Sequence, residues 1–186
     1  MYYTDFASVP EDNYDVIYAD CPWSYNDKMK GHSFSLDHEY ETQDLKWIKR
    51  LPVQAIAAPN CALFHWVVSP MLDEGIDVLK AWGFKYKTVA FVWSKTTVNG
   101  KDVSNLGKWT MGNVELCLLG VRGRPQRILK NVKQLIRDVR TVHSRKPETA
   151  RIRIEQLMGP VKRIELFQRG AIEGWDGFGN TPKFSK

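Results

Sequence analysis

The stretch "DVIYADCPWSY", residues 15–25, ends an apolar run in a carboxylate, a stiff turn and a large aromatic ring. Alone, Asp20 could be a metal ligand, a general base or a helix cap. Its neighbours narrow the chemistry. Pro22 removes a backbone donor and stiffens the turn. A residue before proline favours an extended conformation, so the Cys21 carbonyl is expected to point outward. Trp23 supplies a flat face. A carboxylate oxygen, a carbonyl oxygen and a stacking surface suit a planar base carrying an exocyclic amine. The two oxygens would accept the amine's two hydrogens, weaken its conjugation with the ring and direct its lone pair outward. Stacking on an aromatic face contributes about 1–3 kcal/mol per base. Extruding a base is how enzymes reach an atom hidden in a duplex. The plainer alternative is an Asp-turn beside a core tryptophan, and the tetrapeptide leaves both open.

The elements that must position these residues alternate along the chain. Strands are expected at 14–20 (YDVIYAD), 61–68 (CALFHWVV), 86–93 (YKTVAFVW), 113–121 (NVELCLLGV), 134–140 (QLIRDVR, a short one) and 163–169 (RIELFQR, a final one). Helical spacing covers 42–51, with Thr42 as its expected cap, 70–83, starting at Pro70 and stopping at Gly83, and 146–159, ended by Gly159. Strand–helix alternation argues for an α/β domain around a mostly parallel sheet. In such sheets ligands sit beyond the carboxyl ends of the strands. Asp20 lies at one such end and Arg169 at another. The long polar segment from Ser94 to Gly112 is expected to make an excursion over the sheet edge, either a functional loop or a mere connector.

At 186 residues the chain is expected to form one domain, 1–186, large enough for a real core. With 43% hydrophobic and 26% charged residues, its composition is that of an ordinary soluble globular chain. Its apolar runs are too short to cross a bilayer and its N-terminal residues do not read as a signal peptide, so a cytoplasmic protein is expected. Three cysteines, Cys21, Cys61 and Cys117, lack C-x-x-C spacing, and the four histidines are scattered. Neither a disulfide framework nor a metal site is expected. The net charge of +6 permits an acidic partner. Nine Lys/Arg fall between Arg122 and Lys146 against one acid, Asp138. That stretch is either a solvated face or a track for nucleic-acid phosphates.

"DCPW" is similar to the D-P-P-W signature of amino-group methyltransferases that use S-adenosylmethionine. More specifically, the chain resembles the family of the eukaryotic mRNA adenosine N6-methyltransferase seventy-kilodalton subunit, with its bacterial and phage relatives. "DVIYADCPW", "ALFHWV", "FVWSKT", "GKWTMGNVELCLLGVRG", "HSRKPE", "RIELFQR" and "GWDGFGN" occur in the family's order, over roughly residues 14 to 180. The "GWDGFGN" ending looks more like the bacterial and phage branch.

The resemblance implies a Rossmann-like methyltransferase fold with the acceptor motif before the cofactor motif, and methyl transfer from S-adenosylmethionine to the N6 of adenine. By the same resemblance, Asp20 and the Cys21 carbonyl hold the target amine, with Asp20 also near the methionine end of the cofactor. Pro22 shapes the turn and Trp23 flanks the base. Tyr40 matches a gate position, Trp66 and Glu115 line the pocket, and Ser144 and Lys146 lie at the methionine or substrate end. Phe167 and Arg169 match cofactor contacts, Asn180 and Thr181 close over the ribose and adenine, and Asp5 and Phe6 match a pair contacting the cofactor's adenine. Trp66 and Phe167 read equally as plain core. Glu115 lies in an apolar strand, where a carboxylate needs a partner. Lys146 starts the expected helix, where the dipole disfavours a cation, which suggests that it faces an anion. Lys95 and Trp109 also match family positions, with no role attached. Cys21 replaces the first proline of D-P-P-W, and "GAI" after Arg169 lacks the His-Asn pair of the eukaryotic enzymes. DNA is the expected substrate, bound through Arg122 to Lys146, with a homodimer or partner subunit left open. The alternatives are an RNA N6-adenosine methyltransferase, a catalytically inactive nucleic-acid-binding subunit, and transfer to cytosine N4.

Overall fold

The computed structural model describes residues 1–23, 44–107, 109–140 and 145–179. Among these, eight strands form one sheet: β1 (Tyr2–Tyr3), β2 (Tyr14–Ala19), β3 (Ala57–Val68), β4 (Lys85–Thr96), β5 (Val114–Arg122), β6 (Leu135–Val139), β7 (Arg163–Leu166) and β8 (Asp176–Phe178). Their order across the sheet is β1-β8-β7-β2-β3-β5-β4-β6. From β1 to β3 every neighbour is parallel, and so are β4 and β6. β5 alone runs antiparallel, to both β3 and β4. The expected mostly parallel α/β sheet is therefore present, with one reversed strand near one side.

Both faces of the sheet are covered, and the strand sequences are written for that. Along β2, Ile17 and Ala19 enter one core cluster, while Val16 and Tyr18 enter the other. On the first face pack α1 (Leu45–Arg50), α2 (Val53–Ile56) and α3 (Leu72–Ala81), through Ile48, Val53, Ile56, Val78 and Leu79. On the second face packs α4 (Glu148–Met158), through Ala150, Ile154 and Met158. Arg151 on α4 is clipped to Glu165 on β7 at 2.8 Å, which satisfies two charges that burial would otherwise penalise.

Element ends follow local chemistry. α1 starts later than its periodicity suggests. Its cap is Asp44, whose carboxylate accepts from the Trp47 N–H at 2.6 Å, while Thr42 lies outside the described residues. α3 is entered through a single 3₁₀ turn containing Pro70 and left at Gly83 with φ 82°. β7 stops at Leu166, short of the expected Arg169, because Phe167 turns to φ 64°. β4 runs on past Trp93 to Thr96, so the excursion covers 97–112 and is tied by bridges Thr96–Asp102 and Asn105–Gly112. β1 and β8, of two and three residues, are too short to leave an alternation signal and go unannounced by the sequence.

Candidate active site

The carboxyl ends of the parallel strands meet along one edge of the sheet. Ala19, the last residue of β2, pairs with His65 on β3 and with Leu166 on β7. Leu166 pairs with Phe178, and Phe178 with Tyr3. On the other side Val68 pairs with Glu115, and Glu115 with Trp93. Because β5 is reversed, its first residues rather than its last reach this edge. That reversal brings Glu115 beside Asp20.

Four charged side chains interlock there. Lys146, two residues before α4, places its ammonium 2.7 Å from one Asp20 oxygen and 2.8 Å from the other. The same nitrogen is 3.2 Å from Glu115, whose second oxygen is 2.5 Å from Lys95. The side chains of Asp20, Glu115 and Lys146 are 21%, 12% and 11% exposed. Two carboxylates and two ammonium groups thus neutralise one another in a largely desolvated place. Burial would raise the Glu115 carboxyl, but Lys146 and Lys95 more than offset this and hold it low. Burial disfavours the Lys146 ammonium, yet Asp20 and Glu115 hold its proton more tightly than usual. Asp20 goes the other way. Burial lifts its carboxyl, Lys146 and Arg169 oppose this, and Glu115 adds to the lift.

The turn after Asp20 closes on itself. The Trp23 N–H donates to the Cys21 carbonyl at 2.9 Å, a three-residue turn around Pro22, whose ring-fixed φ suits that geometry. The carbonyl expected to face outward therefore has one lone pair engaged and the second available. The Trp23 indole donates to the Trp66 carbonyl at 3.4 Å. Trp66 is 1% exposed and its own indole donates to the Tyr18 hydroxyl at 2.6 Å. It is core, touching the site through the Lys146 ammonium 5.9 Å from its ring centre.

A second group of residues lies along the same edge, on the far side of Asp20. The Phe178 ring stands 5.0 Å from Phe6 and 6.1 Å from Phe167, and Phe167 is 6.3 Å from Trp47. The left-handed backbone of Phe167 is costly for a bulky residue, a strain that clusters at functional sites. Arg169 follows, exposed, and close enough to Asp20 to lower its carboxyl. Asp5 caps the 3₁₀ turn that carries Phe6, accepting from the Ala7 N–H at 3.1 Å.

Asp20, Cys21, Pro22, Trp23, Glu115 and Lys146 are thus brought together, and Phe6, Phe167 and Arg169 line up beside them. Tyr40, Ser144, Asn180 and Thr181 lie outside the described residues. Lys95, matched by the sequence without a role, joins the site through Glu115, and two contributors escaped the sequence reading. Phe178 sits inside "GWDGFGN". His65, in the run "ALFHWV", gave no signal. The basic stretch is divided by the fold. Arg122 sits at the opposite end of β5 from Glu115, roughly 23 Å away at 3.3 Å per residue. Its guanidinium holds the Gln54 and Ala57 carbonyls at 2.6 and 3.0 Å. The stretch returns along β6, and its last members, Arg145 and Lys146, reach the acceptor edge.

Comparison with known proteins agrees with this arrangement. The MT-A70 family model matches residues 14–181. The chain belongs to the MT-A70 family. It is 35% identical over 192 residues to the Type II methyltransferase M.MunI of Mycoplasma sp, covering 94% of this chain and 80% of that protein. It is 27% identical over 171 residues to the N(6)-adenosine-methyltransferase MT-A70-like of Arabidopsis thaliana, and to the N(6)-adenosine-methyltransferase catalytic subunit METTL3 of Homo sapiens. These matches cover 89% of this chain but 23% and 27% of the two eukaryotic proteins. The MT-A70 domain makes this sheet an S-adenosylmethionine-dependent methyltransferase fold. Among the described residues no helix is long and apolar enough to cross a membrane.

Proposed function

We propose that the chain, acting as one domain in the cytoplasm, transfers a methyl group from S-adenosylmethionine to the exocyclic N6 amine of adenine in DNA. One observation carries the reading: a carboxylate and an adjacent backbone carbonyl sit at the strand end beside Trp23, at the edge where an aromatic cluster begins. The MT-A70 relatives named for adenosine N6 transfer support the acceptor atom. The likeness to M.MunI supports DNA.

The donor set suits S-adenosylmethionine. Phe6, Phe167 and Phe178 offer an apolar aromatic bed for a flat adenine, with Asp5 beside it. Arg169, Asn180 and Thr181 would take the ribose side. Asp20 and Lys146 present a carboxylate and an ammonium to the charged methionine end. When bound, the cofactor supplies an electrophilic methyl group. The protein's task is to make a poor nucleophile attack. Asp20 and the free lone pair of the Cys21 carbonyl accept the two amine hydrogens, so the nitrogen lone pair leaves conjugation and turns outward. Lys146 opposes the burial that would protonate Asp20, which keeps it an acceptor rather than a strong base. Trp23 flanks the base, Glu115 lines the pocket with Trp66 behind it in the core, and Tyr40 and Ser144 would join them by the family likeness. Arg145 and the other basic residues near this edge receive phosphates.

Replacing Asp20 by Ala tests the assignment. Single-turnover methylation should fall by about 10²–10³, the usual cost of one such electrostatic contact, while the dissociation constant for S-adenosylmethionine changes far less. Near-normal turnover in this variant would sink the acceptor role.

A further inference from the structure

His65 is fully buried near the carboxyl end of β3, yet it is a polar residue in an apolar run. Its Nδ1 lies 4.0 Å from the Cys21 Sγ. Its ring is held between two indoles, 5.4 Å from Trp23 and 5.6 Å from Trp82, tilted by 55° and 62°. Among the described residues its Nε2 has no hydrogen-bond partner. Both flanking indoles are themselves tied down: Trp82 donates to the Ile48 carbonyl on α1 at 2.8 Å, and Trp23 donates to the Trp66 carbonyl.

The protonation states follow from this burial. Burial, with Lys146 adding to it, lowers His65 to about 3, so the ring is neutral. Burial also keeps Cys21 a thiol. A neutral imidazole has one N–H and one lone pair, and a thiol has one hydrogen to give. One hydrogen can therefore be shared between the Cys21 Sγ and the His65 Nδ1, and the ring tautomer sets which of the two donates it. A leucine would fill the space without orphaning a nitrogen, so packing alone does not explain a histidine here.

We propose that His65 is a positioning residue for the acceptor turn: it clamps Cys21 and Trp23 against β3 and replaces the restraint that the first proline of D-P-P-W would impose. A proline ring fixes φ covalently. A cysteine must be held from outside, and the thiol–imidazole contact together with the ring sandwich does so. This inference rests on the proposed function, because the turn matters only if its carbonyl receives a substrate amine.

The test is His65→Leu made in two backgrounds, Cys21 and Cys21→Pro. With Cys21 present, kcat should fall about tenfold, the scale of a small misplacement of a reacting group, while the KM for S-adenosylmethionine and the Tm hold. With Pro at position 21 the same replacement should change kcat less than about twofold. Equal losses in both backgrounds, or a loss that tracks a fall in Tm, overturn the proposal. Should Cys21→Pro fail to fold, Cys21→Ala, His65→Leu and their double variant give the same answer. The double should be no worse than either single change, and additive losses overturn the pairing. A readout independent of turnover is the ¹⁵N spectrum of the His65 ring, expected to show a neutral ring whose Nδ1 signal moves on Cys21→Ala. An unmoved Nδ1 signal overturns the contact. Absence of methyl transfer by the parent protein counts against the function and leaves this spectrum to decide the pair.

Discussion

At the residue scale the site is a problem of two buried carboxylates sharing one cation. Asp20 is the member whose carboxyl burial lifts, and its ionised form is the stronger acceptor of amine hydrogens. Methylation should therefore fall as pH drops through a value raised above that of an ordinary aspartate. Glu115 contributes to that lift, so Glu115→Gln should move the acid limb of kcat to lower pH, and an unmoved limb would remove Glu115 from the coupling. Lys146 neutralises both acids. Removing one partner of a buried pair costs about 3–5 kcal/mol, and Lys146→Met should destabilise the fold by that order at pH 7. The stranded carboxyls then take up protons more readily in the folded chain than in the unfolded one. The deficit should therefore shrink as pH falls, readable by urea unfolding at pH 7 and pH 5. Much of this site was legible in "DCPW" and in a glutamate inside an apolar strand, because each residue is costly unless used. His65 was not, because one polar residue in a buried strand leaves no periodic trace. Neither was the engaged lone pair of Cys21, which is a backbone geometry.

At the element scale, short apolar runs announced the six strands from β7 across the centre to the β6 edge, and α3 and α4 announced themselves through proline or glycine at their ends. The other edge, β8 and β1, was silent because two or three residues cannot show a period. That edge is held by close approach. A Cβ on Gly177 would lie 1.6 Å from the Gln168 Oε1 and 2.9 Å from the Tyr2 ring. Gly177→Ala should therefore cost about 1–3 kcal/mol through overpacking. Because Phe178 is the next residue, the same change should weaken S-adenosylmethionine binding, measurable by calorimetry. A stable variant with unchanged affinity would place the cofactor away from β8. The reversal of β5 was also invisible locally: the strand reads the same in either direction, and only its pairing sets which end meets Asp20.

At the scale of the whole molecule, the sheet separates two tasks along one edge. The acceptor charges lie between β2 and β4, and the aromatic cluster lies across β7, β8 and β1. The positive charge that the sequence concentrates between Arg122 and Lys146 is spread by the fold from the far edge to this one. The direct measurement offers the purified protein labelled S-adenosylmethionine with duplex DNA, single-stranded DNA and RNA of mixed sequence, and identifies the methylated nucleosides by mass spectrometry. The account predicts N6-methyldeoxyadenosine. Methyl found on RNA adenosine alone would contradict the substrate, methyl on cytosine N4 would contradict the acceptor, and no methyl on any of them from a folded protein would contradict the activity.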